Sequence, residues 1–89
     1  MTIKEIKISP VFEKQYKKLP EKIKELAKEK EKIFRANPFD QHLRTHKLHG
    51  KEKELLAFWI NYHYRIKFIF MDSETVLFLE VGTHGIYKW

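Results

Sequence analysis

Between Phe12 and Phe34 apolar residues recur every three or four positions, and from Leu55 to Val81 they recur every second one. A chain of 89 residues that changes period once has room for two helices followed by consecutive strands. Before the change, Ile3, Ile6 and Ile8 with interspersed lysines predict a short edge strand protected by charge. Ser9-Pro10 then reads as a helix start, with serine as N-cap and proline at the first position, where its missing N–H costs nothing. Phe12, Tyr16 and Leu19 form one apolar stripe, and Pro20 divides it from a second helix. That helix carries Ile23, Leu26, Ala27, Ile33 and Phe34 on one face and Glu–Lys pairs on the other, and Asn37-Pro38 ends it.

After an irregular connection to Gly50, three strands follow on short turns at Asn61-Tyr62 and Asp72-Ser73. The first, around Leu55–Ile60, is apolar on both sides and reads as central, with Phe58 and Trp59 in the core. In the second, Tyr64, Ile66, Phe68 and Phe70 alternate with wetter residues, and in the third Leu77, Leu79 and Val81 form the corresponding set. The expected fold is α+β with the order β-α-α-β-β-β, a single domain over residues 1–89. A helical hairpin lies on one face of an antiparallel sheet. If Tyr64, Ile66 and Phe68 face the helices, Arg65 and Lys67 face the other way. The same parity carries Glu80 and His84 to the side of Arg65.

Composition narrows the chemistry. There is no cysteine, hence no disulfide framework and no thiolate zinc site. His46 and His49, three apart on irregular chain without a nearby acid, make a poor metal pair, so no metal is expected. With three glycines and no phosphate-loop or nucleophile-elbow pattern, no nucleotide chemistry and no cofactor is expected. No apolar run approaches a membrane span, and a soluble, cytoplasmic protein is the expectation. The net charge of +6 and a pI near 9.6 favour an anionic partner. The segment from His42 to Lys53 concentrates that charge, with His42, Arg44, His46, Lys47, His49, Lys51 and Lys53 against Glu52 alone.

The helix-free face of the sheet therefore combines Arg65, Lys67 and His84, with Tyr87 nearby and the basic segment at its border. A proton carrier, a phenol and a fixed cation are the parts needed to stabilise and protonate a phosphate ester without a metal. A positive surface with aromatic edges suits single-stranded RNA.

The element order, the segment HKLHG before the second strand, YRIKF in the third and VGTHGIYKW at the end together resemble the RelE/ParE superfamily, in its YafQ/RelE-like branch. These are toxins of type II toxin–antitoxin modules with a microbial-RNase-like fold. The resemblance covers essentially the whole chain. It implies cleavage of mRNA in the ribosomal A site by 2′-hydroxyl attack, giving a 2′,3′-cyclic phosphate without a metal. Carried over, Arg65 stabilises the phosphorane, His84 is the general acid to the 5′-oxygen, Tyr87 positions the scissile nucleotide and His46 assists as base or holds phosphate. Lys47, His49, Lys51, Lys53, His63, Lys67 and Lys88 are the RNA-contacting candidates. Tyr64 stands where the histidine-using branch has an aspartate, and that branch's second upstream histidine aligns near Ile60. The general base is thus open between His46 and His63.

The implied partners are the ribosome, mRNA and a cognate antitoxin, acidic and partly disordered when free, through which oligomers would form. No membrane partner is expected. Two other readings share the scaffold: a ParE-like gyrase inhibitor, and a catalytically inactive protein that binds RNA or its antitoxin.

Overall fold

The computed structural model describes residues 1–48 and 54–87, the side chain of Tyr87 excepted. Strand β1 (Glu5–Ile8) leads into helices α1 (Pro10–Lys17) and α2 (Glu21–Ala36). A 3₁₀ turn (Gln41–Leu43) and a short strand β2 (His46–Lys47) precede β3 (Leu56–Trp59), β4 (Arg65–Phe70) and β5 (Thr75–Gly82). A second 3₁₀ turn spans His84–Tyr87. The sheet has five strands in the order β1-β5-β4-β3-β2. Strands β3, β4 and β5 form the expected antiparallel meander, and the sheet as a whole is mixed, because β1 runs parallel to β5 with Glu5 opposite Thr75 and Ile8 opposite Phe78. The helical hairpin carries the chain from β1 at one edge to β2 at the other, and the meander then returns to set β5 beside β1.

Helix α1 begins as its sequence predicts. The Ser9 hydroxyl accepts from the Phe12 amide at 3.0 Å and Pro10 occupies the first turn. Helix α2 stops at Ala36 with Asn37 as its cap, immediately before Pro38. Its buried Phe34 is the hub of the core between helices and sheet. The Phe34 ring lies 4.8 Å from Phe58, 4.9 Å from Phe68 and 5.5 Å from Phe78, so one helix residue locks three strands together.

The expected parity of β5 fails at one point. Lys67 pairs with Glu80 and Phe68 with Phe78, leaving Leu79 as an extra residue in a β-bulge. Before the bulge, Val76 and Phe78 face the helices and Leu77 sits opposite Ile69; after it, Val81 pairs with Ile66 on the helix side. Leu79 joins Leu48, Leu55, Ala57 and Ile69 in a separate apolar cluster away from the helical core. Leu77 and Leu79 therefore do not share the face of Val81. Helix α1 satisfies the backbone groups that the bulge frees. The Ser9 hydroxyl donates to the Leu79 carbonyl at 2.8 Å, and the Gln15 side-chain oxygen accepts from the Val81 amide at 2.8 Å. The bulge restores Glu80 and Gly82 to the face of Lys67 and Arg65.

Candidate active site

Arg65 opens β4, between Trp59 on β3 and Gly82 on β5. Only 3% of it is exposed. A buried guanidinium needs acceptors, and the β3–β4 turn provides them. The Asn61 side-chain oxygen accepts from the amides of His63 at 2.9 Å and Tyr64 at 2.8 Å, which curls the turn. Arg65 Nη1 then donates to the carbonyls of Asn61 at 2.7 Å, of Tyr62, and of Tyr64 at 3.4 Å. Its guanidinium carbon lies 3.9 Å from the Trp59 ring centre, a cation–π contact. Arg65 Nε is buried with no acceptor among the described residues. An orphaned buried donor on a charged group is costly, and its retention calls for an explanation, a functional role among them.

His46 on β2 sits opposite Ala57, which shares its face of β3 with Trp59. Its Nδ1 is 2.9 Å from the Arg44 carbonyl. A carbonyl only accepts, so Nδ1 carries the proton and the neutral ring has its lone pair on Nε2. His84 follows Gly82 by two residues and starts the second 3₁₀ turn. Arg44, His46, Trp59, Arg65 and His84 line one cleft of about 330 Å³. Among the described residues the lining has two guanidiniums, two imidazoles and an indole, and no carboxylate. Such a cleft attracts an anion and holds two imidazoles, the side chains suited to passing a proton.

The other predicted site residues fall elsewhere. Lys67 is on the face of Arg65 but is 6% exposed; its ammonium forms an ion pair with Glu80 and donates to the Ile86 carbonyl at 3.0 Å. It is an internal anchor, buried because the second 3₁₀ turn folds over it. Lys47 pairs with Leu56 and borders the cavity of Phe39, Glu54, Leu56 and Phe70, one residue out of phase with His46 and hence on the opposite face. His63 is exposed in the β3–β4 turn, its ring 5.2 Å from that of Tyr62, and does not line the cleft. Tyr87 belongs to the second 3₁₀ turn by its backbone. His49, Lys51, Lys53 and Lys88 lie outside the described residues. Trp59 and Arg44 are the cleft residues that pattern reading missed. Trp59 sits in a run apolar on both sides, where alternation cannot tell core from cleft. Among the described residues no group of three or more His, Asp or Glu is disposed to hold a metal ion, and no helix is long and apolar enough to cross a membrane.

No family model matches this chain, and no curated protein does. Solved structures do. The archaeal RelE of the RelE–RelB complex from Pyrococcus horikoshii OT3 superposes with a TM-score of 0.73 at 20% identity, covering 96% of this chain and 98% of that one. The YafQ of the E. coli DinJ–YafQ toxin–antitoxin complex gives 0.75 at 17% identity, with 97% of each chain covered. YoeB from a Staphylococcus aureus dimer gives 0.75 at 19% identity, over 90% of this chain and 95% of that one. The fold of this chain is that of these RelE, YafQ and YoeB structures.

Proposed function

We propose that this protein is the toxin of a type II toxin–antitoxin pair and a ribosome-dependent, metal-independent mRNA endoribonuclease. The observation that carries the reading is the buried Arg65 guanidinium, with Nε unsatisfied, in a cleft shared by His46 and His84. In-line attack of a 2′-hydroxyl on the adjacent phosphate needs a base, an acid and a cation for the phosphorane. His46 Nε2 takes the 2′-proton, and protonated His84 gives a proton to the departing 5′-oxygen. Arg65 holds the phosphorane oxygens, leaving a 2′,3′-cyclic phosphate and a 5′-hydroxyl. His46 is the base in preference to His63 because it lines the cleft and, with Nδ1 held by the Arg44 carbonyl, Nε2 is its basic nitrogen. Tyr87, next to this group in the chain, stacks on or positions the scissile nucleotide. The solved RelE and YafQ are in complex with RelB and DinJ. A cognate antitoxin is accordingly the proposed partner here, and the net charge of +6 suits an acidic one.

Mapping of message 5′ ends in a translating extract tests this, with wild-type protein and His84→Ala side by side. The expected result is cuts at a fixed codon position that require ribosomes and vanish in the variant. Intact message with folded wild-type protein would overturn the ribonuclease reading and send attention to gyrase or to pure binding.

A further inference from the structure

Arg44 has φ 52, the single positive φ among the described residues other than glycine. A β-carbon in the left-handed region is strained, and glycine or asparagine would occupy it at lower cost. The strain does two things. Arg44 ends the first 3₁₀ turn, its amide reaching back to the Gln41 carbonyl at 3.3 Å. The reversal also presents the Arg44 carbonyl to His46 Nδ1. The side chain meanwhile lies over Trp59, guanidinium carbon 4.6 Å from the ring centre. The same indole carries the guanidinium of Arg65 at 3.9 Å. Two like charges are thus gathered on one aromatic platform at the wall of one cleft, with no carboxylate among the described lining residues to offset them. Local strain and local repulsion both persist here, the combination found where a site is organised for a ligand.

We infer that Arg44 is a second phosphate-binding residue, acting with Arg65 on a single phosphodiester. Trp59 is the platform that sets their spacing. The inference deepens the ribonuclease reading and takes its substrate class from it. Arg65 is fixed by three carbonyls and lines the cleft as a buried cation; Arg44 is exposed and ends the turn before β2. A phosphodiester gains a second negative charge on becoming a phosphorane, and a second guanidinium meets that charge where it develops. Because the Arg44 carbonyl also fixes the tautomer of His46, one residue couples phosphate binding to the base by its side chain and its backbone.

Arg44→Gly separates function from stability, since glycine relieves the strained φ while deleting the cation. Arg44→Gln removes the charge and keeps a side chain. The probe is a labelled RNA hexanucleotide with 2′-fluoro riboses, which lacks the attacking hydroxyl, titrated at several salt concentrations. Arg44→Gly is expected to melt within about 4 °C of wild type or above it. In both variants the slope of log affinity against log salt should shrink by about 0.7, one phosphate contact on a single strand. Arg44→Lys should restore the slope. An unchanged slope in Arg44→Gly and Arg44→Gln overturns the proposal, whether or not the wild type cuts message. A reduced slope with a wild type that cuts nothing upholds the anion site and fells the ribonuclease reading alone.

Discussion

Lys67 Nζ donates to the carbonyl of Ile86 in a buried bond of 3.0 Å, joining β4 to the 3₁₀ turn that carries His84. The same ammonium pairs with Glu80, whose other carboxylate oxygen accepts from the Gln15 side chain at 3.2 Å. Helix α1, the sheet and the second 3₁₀ turn meet at this cluster. Replacing Lys67 by Met keeps the aliphatic stem and removes both the counter-charge of Glu80 and the donor to Ile86. A loss of about 3 kcal/mol in urea unfolding is expected, the low end of the range for breaking a buried pair from one side, because Glu80 is partly exposed. Turnover should fall more than substrate binding, because His84 loses its fixed position. The salt slope of RNA binding should stay at its wild-type value; a smaller slope would make Lys67 an RNA contact after all.

The other side of the same turn rests on Gly82. A β-carbon at Gly82 would come 3.0 Å from Cγ2 of Ile86, whereas one at Gly85 meets nothing within 4 Å. Gly82→Ala is therefore expected to push the turn outward and cut turnover about tenfold, equivalent to roughly 1.4 kcal/mol in the barrier. Gly85→Ala should leave it within about twofold. Single-turnover rates of the two variants make the comparison, and equal rates would mean that Ile86 gives way without moving His84.

Ser9 has two tasks, capping α1 and bonding to the bulged Leu79 carbonyl. Ser9→Ala should cost about 1–2 kcal/mol, near the top of the N-cap range, because a second backbone group loses its partner. Ser9→Gly, which keeps the capping conformation alone, should recover only part of it in chemical denaturation.

Acid sensitivity should trace in part to Asp40. The His42 amide, and after it the His42 ring at 2.8 Å, hold this carboxyl below its usual range. The folded chain prefers the ionised form, so the contribution to stability is present above about pH 4 and is lost as pH falls through the lower folded value. Urea midpoints of wild type and Asp40→Ala should differ at pH 7 and converge in strong acid. A gap that persists there would assign the effect to packing.

Periodicity was enough for the helices, the caps at Ser9 and Asn37, and the strand of Arg65, since each depends on neighbours in sequence. Alternation also brought Arg65 and His84 to one side, although the count to His84 passes through a bulge that sequence does not announce. Val76, Leu77, Phe78 and Leu79 are all apolar, so no polar residue marks where the parity slips. Lys67 shows a second limit. Alternation says which face a residue occupies but not what will cover that face, and Ile86 covers it from nineteen positions away. The strained backbone of Arg44 and the parallel pairing of β1 are set by tertiary placement, which no local pattern encodes.

The sheet order has a consequence in time. Strand β5 lies between β1 and β4, and of the five strands it is the last to be synthesised. Until it emerges, β1 has no neighbour, Arg65 lacks its Gly82 wall and the turn bearing His84 does not exist. Chains emerge from the N-terminus, and distant pairings such as Glu5 with Thr75 close late. A nascent copy thus carries the basic segment before it carries the complete cleft, and the ribosome making it faces no finished cleft until β5 and His84 are out.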